Sequence, residues 1–220
     1  MKNIRQASRR DHDQINALRI REFQRSAQFT LIQPDKLLWN HRDDTAIVLS
    51  AWDGPCAVAT MRAVVVNNAA EAESCVECIV PAETDFPAMV FNSAATHWDY
   101  RGIGLNQLMR YYFLKIALDN EIQSLLSPMY EGAPRIQFMK DLGYKFKVPP
   151  LSWQNKLNPK AVRILGVLTR PMMPRAIDFI AAHRHDIIKT YPWKGRRIEL
   201  DNPTLRQAGR GSGKMATTWR

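Results

Sequence analysis

The alternation of apolar and polar positions sets out most of the chain as short strands and helices. Lys2–Ala7 alternates like a first strand, and Ser8-Arg9-Arg10-Asp11 then offers a capping-box-like start to a helix running to about Arg25, with Ile15, Leu18 and Phe23 on its apolar side. Pro34–Trp39 reads as a second short helix, and Asp43 and Asp44 break the pattern. Ala46–Trp52 and Cys56–Val66 are two β-rich runs joined at Asp53-Gly54, a dipeptide suited to a tight hairpin turn. Asn67–Pro87 is acidic, Ala-rich and without clear period, which predicts a long surface loop.

Ala88–Thr96 follows as an extended apolar strand. Leu105, Leu108, Met109, Tyr112, Phe113, Ile116 and Ala117 then recur at helical spacing, so the longest helix of the domain begins near 105. Ile122–Leu126 reads as a strand. Pro134 suits the first turn of a helix lined by Ile136, Met139 and Leu142 and ended by Gly143, and Tyr144–Val148 is the next strand. Past Pro149-Pro150 the pattern weakens: Trp153–Leu168 fits a strand or a helix, Pro171–Tyr191 an amphipathic helix, and the Gly-, Arg- and Thr-rich tail from about 203 a disordered segment. The order of elements predicts an α/β (α+β) sandwich over residues 1–148, a basic, partly helical appendage over 149–202, and a ligand where a strand hands over to a helix.

Composition adds location and charge to this outline. No apolar run approaches the roughly 20 residues needed to cross a bilayer, and Met1–Asp13 is charged where a secretory signal would be apolar, which predicts a cytoplasmic protein. Cys56, Cys75 and Cys78 are an odd set that suits a reducing compartment. The Cys75-x-x-Cys78 spacing lacks the further ligands a zinc site needs, so no metal is expected. The net charge of +10 is uneven: residues 159–220 hold 13 Lys+Arg against 4 Asp+Glu, whereas the first 158 are nearly balanced. Such a segment suits an acidic carrier protein, an anionic membrane surface reached through the basic helix, or plain solubility. Aromatic residues are scattered rather than interleaved with the basic ones, which argues against nucleic acid. Gly209–Lys214 lacks both the spacing and the preceding strand of a phosphate-binding P-loop.

The expected strand-to-helix junction reads Tyr100-Arg101-Gly102-Ile103-Gly104-Leu105-Asn106. Its glycines remove side chains so that backbone N–H groups can converge on an anion, the helix N-terminus adds a favourable dipole, and Arg101 can bind phosphate directly. A Rossmann reading would require a third glycine, which is missing.

This loop, together with Phe138-Met139-Lys140-Asp141-Leu142-Gly143-Tyr144, resembles the GNAT acyltransferase superfamily, in which the pyrophosphate loop reads Gln/Arg-x-x-Gly-x-Gly/Ala and the last helix ends in a Leu-Gly-Phe-like sequence. Within it the chain is similar to the bacterial N-acyl amino acid synthases and, more distantly, to the acyl-homoserine-lactone synthases. The resemblance implies a mainly antiparallel sheet flanked by helices and an acyl-CoA or acyl-phosphopantetheine donor on Ala94, Ala95, Thr96 and Arg101–Asn106. It also implies direct attack of a primary amine on the thioester. Three positions depart from the pattern. Asn106 replaces a small loop residue, Met139 stands where relatives have a proton-donating tyrosine, and Ser93 falls where a glutamate base is common. The implied chemistry therefore turns to His97 as base, to Tyr130 as the acid for the departing thiolate, and to the backbone of Ala94–Thr96 for the oxyanion. Cys56, at a strand start without a base, is expected to be buried rather than nucleophilic. A non-catalytic acyl-CoA-binding module is the alternative.

Overall fold

The computed structural model describes residues 1–25, 38–148 and 162–200. Seven strands form one sheet: β1 (Lys2–Gln6), β2 (Ile47–Asp53), β3 (Cys56–Val66), β4 (Ala88–Thr96), β5 (Ser124–Tyr130), β6 (Lys145–Lys147) and β7 (Arg163–Thr169), in the order β1-β2-β3-β4-β5-β7-β6. Every neighbouring pair is antiparallel except β4 and β5. The β2–β3 hairpin closes as its sequence predicts, with Gly54 at a φ of 57° in the left-handed position its turn requires. A parallel pair needs a crossover, and the long helix α4 supplies it.

Helices α1 (His12–Gln24), α2 (His41–Asp44), α3 (Ala69–Val76), α4 (Leu105–Asp119), α5 (Ile136–Asp141), α6 (Met173–His183) and α7 (His185–Thr190) complete the described structure. Strand alternation divides the core in two. Met89 and Phe91 of β4 pack with Leu108, Met109, Phe113 and Ile116 of α4 and with Met173 and Ile180 of α6. Ala88 and Val90, one residue out of phase, pack with Ala72 and Val76 of α3. No described helix is long and apolar enough to cross a membrane.

Several sequence expectations change here. The acidic stretch 67–87 is not all loop: Asn68 caps α3 by accepting the Glu71 N–H at 3.0 Å, and burial of Ala72 and Val76 holds the helix down. The expected break at Asp43–Asp44 is itself the short α2, which Asn40 caps. Leu38 and Trp39 are not helical, and the rest of the predicted Pro34–Trp39 helix lies outside the described residues. The appendage expected from 149 onward is not separate, because β7 lies inside the sheet between β5 and β6. Gly166 makes that insertion possible: a Cβ there would stand 2.9 Å from the Phe146 ring on β6. The predicted helix over Pro171–Tyr191 breaks at Arg184, whose φ of −135° is not helical. Beyond it, Pro192 and Lys194 bond the backbone of Ile4 on β1, and the Asn120 amide binds the backbone of Ile198 and Leu200. The expected disordered tail and most of Trp153–Leu168 fall outside the described residues, but 163–168 are strand.

Candidate active site

The site begins where β4 and β5 part. Their parallel pairing covers Ala88–Ser124, Met89–Leu125 and Val90–Leu126 and then stops, although β4 runs on to Thr96 and β5 to Tyr130. Past that point β5 is paired on one side only, by β7, which is why Pro128 is tolerated in mid-strand without an N–H to give. On β4, Arg62 of β3 faces Asn92 and Thr60 faces Ala95, so Ser93 and Ala94 together oppose the single residue Met61. This β-bulge bends the strand and holds Ser93 at a φ of 49°, unusual for a residue with a side chain. Backbone groups of Ser93 and Ala94 are thereby released from the ladder at the mouth of the split.

A cavity of about 210 Å³ opens on the α1/α3 side of this mouth, lined by Ser93 and Asn92 of β4, Met129 and Tyr130 of β5, and the cationic side chains Arg42, Arg62 and Arg163, with Glu77 as a carboxylate on its wall. The floor is a buried charge network. Arg62 donates Nε to Asn92 Oδ1 at 2.6 Å and Nη1 to Asp43 Oδ2 at 3.0 Å, while Arg19 Nη2 reaches Asp43 Oδ1 at 2.7 Å. Burial is the main influence on Arg62, lowering its pKa, and Asp43 opposes that shift.

The structure brings Ser93 and Tyr130 to this cavity but leaves His97 outside its described lining. His97 caps a 3-10 turn over Trp98–Tyr100, its Nδ1 accepting the Asp99 N–H at 3.2 Å. That bond ties Nδ1 to the backbone of the turn. Ala94 is half-buried, and Ala95 and Thr96 pair with Thr60 and Ala59 of β3.

In the loop, Gly102 and Gly104 have φ of 80° and 98°, and Gly104 is the N-cap of α4. The backbone at the start of α4 is thus free of side chains, as a phosphate cradle needs. Ile103 is exposed, whereas Leu105 is buried in the core, so only its backbone can face an anion. Asn106 Oδ1 accepts a hydrogen bond from Arg110 Nε at 3.2 Å. Arg101 lies over the Trp98 ring and donates to Glu22 Oε2 of α1 at 3.1 Å, anchoring the loop to α1. A further cation comes from the broken C-terminal helix. Arg184 donates Nε to Gln107 Oε1, and its Cδ lies 3.1 Å from where a Cβ on Gly104 would stand. Beside it, Ile103 and the 182–187 junction line a second cavity.

Cys56 is exposed rather than buried, because it sits at the solvent end of the hairpin. Cys78 is buried, which pushes its thiol up to about 11.

Sequence reasoning missed Arg19, Glu22, Asp43, Arg62 and Arg184. Arg19 and Glu22 share the buried stripe of Ile15 and Leu18 on α1, and a charge at a core position of an amphipathic helix is a legible sign. Arg184 carries no such sign.

No family model matches the sequence, and neither does any curated protein. Solved structures do resemble the fold. BjaI, a CoA-dependent acyl-homoserine lactone synthase whose structure holds SAM and isopentyl-CoA, superposes with a TM-score of 0.63 at 15% identity over 90% of this chain and 96% of its own. A probable acetyltransferase from Staphylococcus epidermidis gives 0.53 at 14% identity, covering 77% of this chain and 99% of its own. A ribosomal-protein-alanine N-acetyltransferase from Brucella melitensis gives 0.53 at 15%, covering 76% and 98%. The split strands, the bulge and the glycine loop therefore sit in a chain with the fold of the GNAT acyltransferase superfamily.

Proposed function

We propose that this protein is an N-acyltransferase that moves an acyl group from a CoA or carrier-bound phosphopantetheine thioester to a primary amine. The observation that carries the reading is the parting of β4 and β5 after Val90–Leu126, with the Ser93–Ala94 bulge at its mouth and the Gly102–Gly104 loop at the start of the crossover helix. A thioester whose phosphate rests on that loop runs its pantetheine arm between the strands and brings its carbonyl to the bulge. Freed backbone N–H groups there stabilise the developing oxyanion.

The amine enters from the cavity side. Arg42 and Arg62 favour an acceptor that also carries a carboxylate, so the acceptor class is amino-acid-like, and Glu77 holds the ammonium and takes its proton. The amine nitrogen then bonds to the thioester carbon, the C–S bond breaks as Tyr130 protonates the departing thiolate, and the resulting phenolate takes the second proton that nitrogen gives up as the amide forms. Arg184 beside the loop suits the phosphates of CoA as well as an acidic carrier protein. Turnover takes place on the cytoplasmic side, where such donors are made.

Thiol release from acyl-CoA and from acyl carrier protein, measured with a panel of amino acids and with simple alkylamines, tests the reading. Release that depends on an amino acid and yields its N-acyl product supports it. Stoichiometric donor binding without release under any amine contradicts it and favours a sensor of acyl-CoA.

A further inference from the structure

Arg110, on the second turn of α4, is one of the most buried cations of the protein, at 3% exposure. Its guanidinium sits at the point where the strands part. It lies 5.3 Å from the ring of Phe91, the first β4 residue beyond the last β4–β5 pair, and Nη2 donates to Ser127 Oγ, the first on β5, at 3.2 Å. Its Nε is taken by Asn106. Nη1, equally buried, makes no hydrogen bond.

The partners of this cation are an amide, a hydroxyl, an aromatic ring and the nearby phenol of Tyr144, none of them a carboxylate. Burial pulls its pKa down, the nearby Tyr144 phenol pushes it back up, and no carboxylate contributes among the described residues. Tyr144 itself is held up at about 12 by burial. Arg135 adds a second positive charge: it keeps solvent contact, yet desolvation and then repulsion from Arg110 pull it down to about 10. An arginine does not shed its proton to relieve such a position. A buried, charged N–H left unpaired is a costly defect, and a bound anionic group is one way to complete it.

We infer that Arg110 is a specificity-determining residue at the closed end of the β4/β5 split, where it binds a carboxylate at the far end of the donor's acyl group. This rests on the acyl-transfer reading and deepens it, naming the donor as the thioester of a dicarboxylic acid. Phe91 precedes the Ser93–Ala94 bulge by two to three residues, which at about 3.3 Å each places Arg110 about 7–10 Å from the thioester carbonyl. A chain of about six carbons, bonded at about 1.5 Å, spans that reach. The carboxylate supplies both the acceptor that Nη1 lacks and the negative charge that the Arg110–Arg135 pair lacks, whereas an alkyl end leaves both wants unmet.

Calorimetric titration of the full chain with adipoyl-CoA and with hexanoyl-CoA, thioesters of equal length, tests this. The wild type is expected to bind adipoyl-CoA at least about tenfold more tightly, since sites built around a buried polar group discriminate strongly against a ligand that cannot pair with it. Arg110→Met is expected to reverse the order. Equal binding of the two, or tighter binding of hexanoyl-CoA, by the wild type overturns the inference while leaving the acyl-transfer reading in place. If neither thioester nor free CoA binds, the acyl-transfer reading fails and takes this with it. The wild-type comparison decides even if the variant does not fold.

Discussion

Asp43→Asn is the substitution with the largest expected effect on stability. Asp43 is 2% exposed and lies between two buried guanidinium groups, at 2.7 Å from Arg19 and 3.0 Å from Arg62. At an effective dielectric near 20, each contact is worth about 4 kcal/mol of attraction, which offsets the desolvation of three ions. The amide keeps the shape of the side chain but removes the negative charge that bridges the two cations. Breaking a buried pair in this way costs about 3–5 kcal/mol, a large share of the roughly 5–15 kcal/mol that holds a domain of this size. Arg19→Met should cost less, because it leaves Asp43 and Arg62 as a balanced pair. Urea unfolding at neutral pH, with m unchanged, measures both. A loss below about 1 kcal/mol for Asp43→Asn, or a larger loss for Arg19→Met, would refute the picture of one anion bridging two buried cations.

Other consequences concern the site and its supports. Tyr130→Phe should lower kcat by about 10²-fold or more if the phenol protonates the leaving thiolate, whereas His97→Ala should stay within a few-fold of wild type; steady-state thiol release measures both. Gly166→Ala forces a Cβ to within 2.9 Å of Phe146 and should cost about 1–3 kcal/mol in the same urea assay, as overpacking does. Asp11, held by a bidentate pair of 2.8 Å bonds from Arg5, has its pKa lowered from 3.8 to about 2 chiefly by those bonds. Its contribution is therefore present above the ordinary carboxylate pKa and lost as pH falls from about 4 to about 2. Asp11→Asn should flatten the acid limb of the stability profile over that window.

Local features of the fold were legible in the sequence. The Asp53-Gly54 turn, the seven-position apolar stripe of α4 and the Gly102–Gly104 junction each express their structure within a few residues, and all three form as read. What the sequence did not disclose depends on residues far apart in it. Arg19, Asp43 and Arg62 come from α1, α2 and β3 and meet only once the sheet has formed. β7 reads ambiguously because Arg163–Thr169 is a short apolar run interrupted by Gly166, and only its place between β5 and β6 explains that glycine. The turn that brings Arg184 over Gly104 contains neither Gly nor Pro. The charges of Arg19 and Glu22 within the apolar stripe of α1 were the one sign of the buried charge network present in the sequence, and it went unread.

The most direct measurement of the donor site is hydrogen exchange of the backbone amides, with and without saturating CoA thioester. New protection is expected only at the β4 bulge at Ser93–Ala94, the 101–106 loop and the open end of β5 from Ser127 to Tyr130, with its loss in Gly104→Val, where the new side chain meets Arg184. Protection elsewhere with none at the bulge or the loop, or undiminished protection in the folded variant, contradicts it.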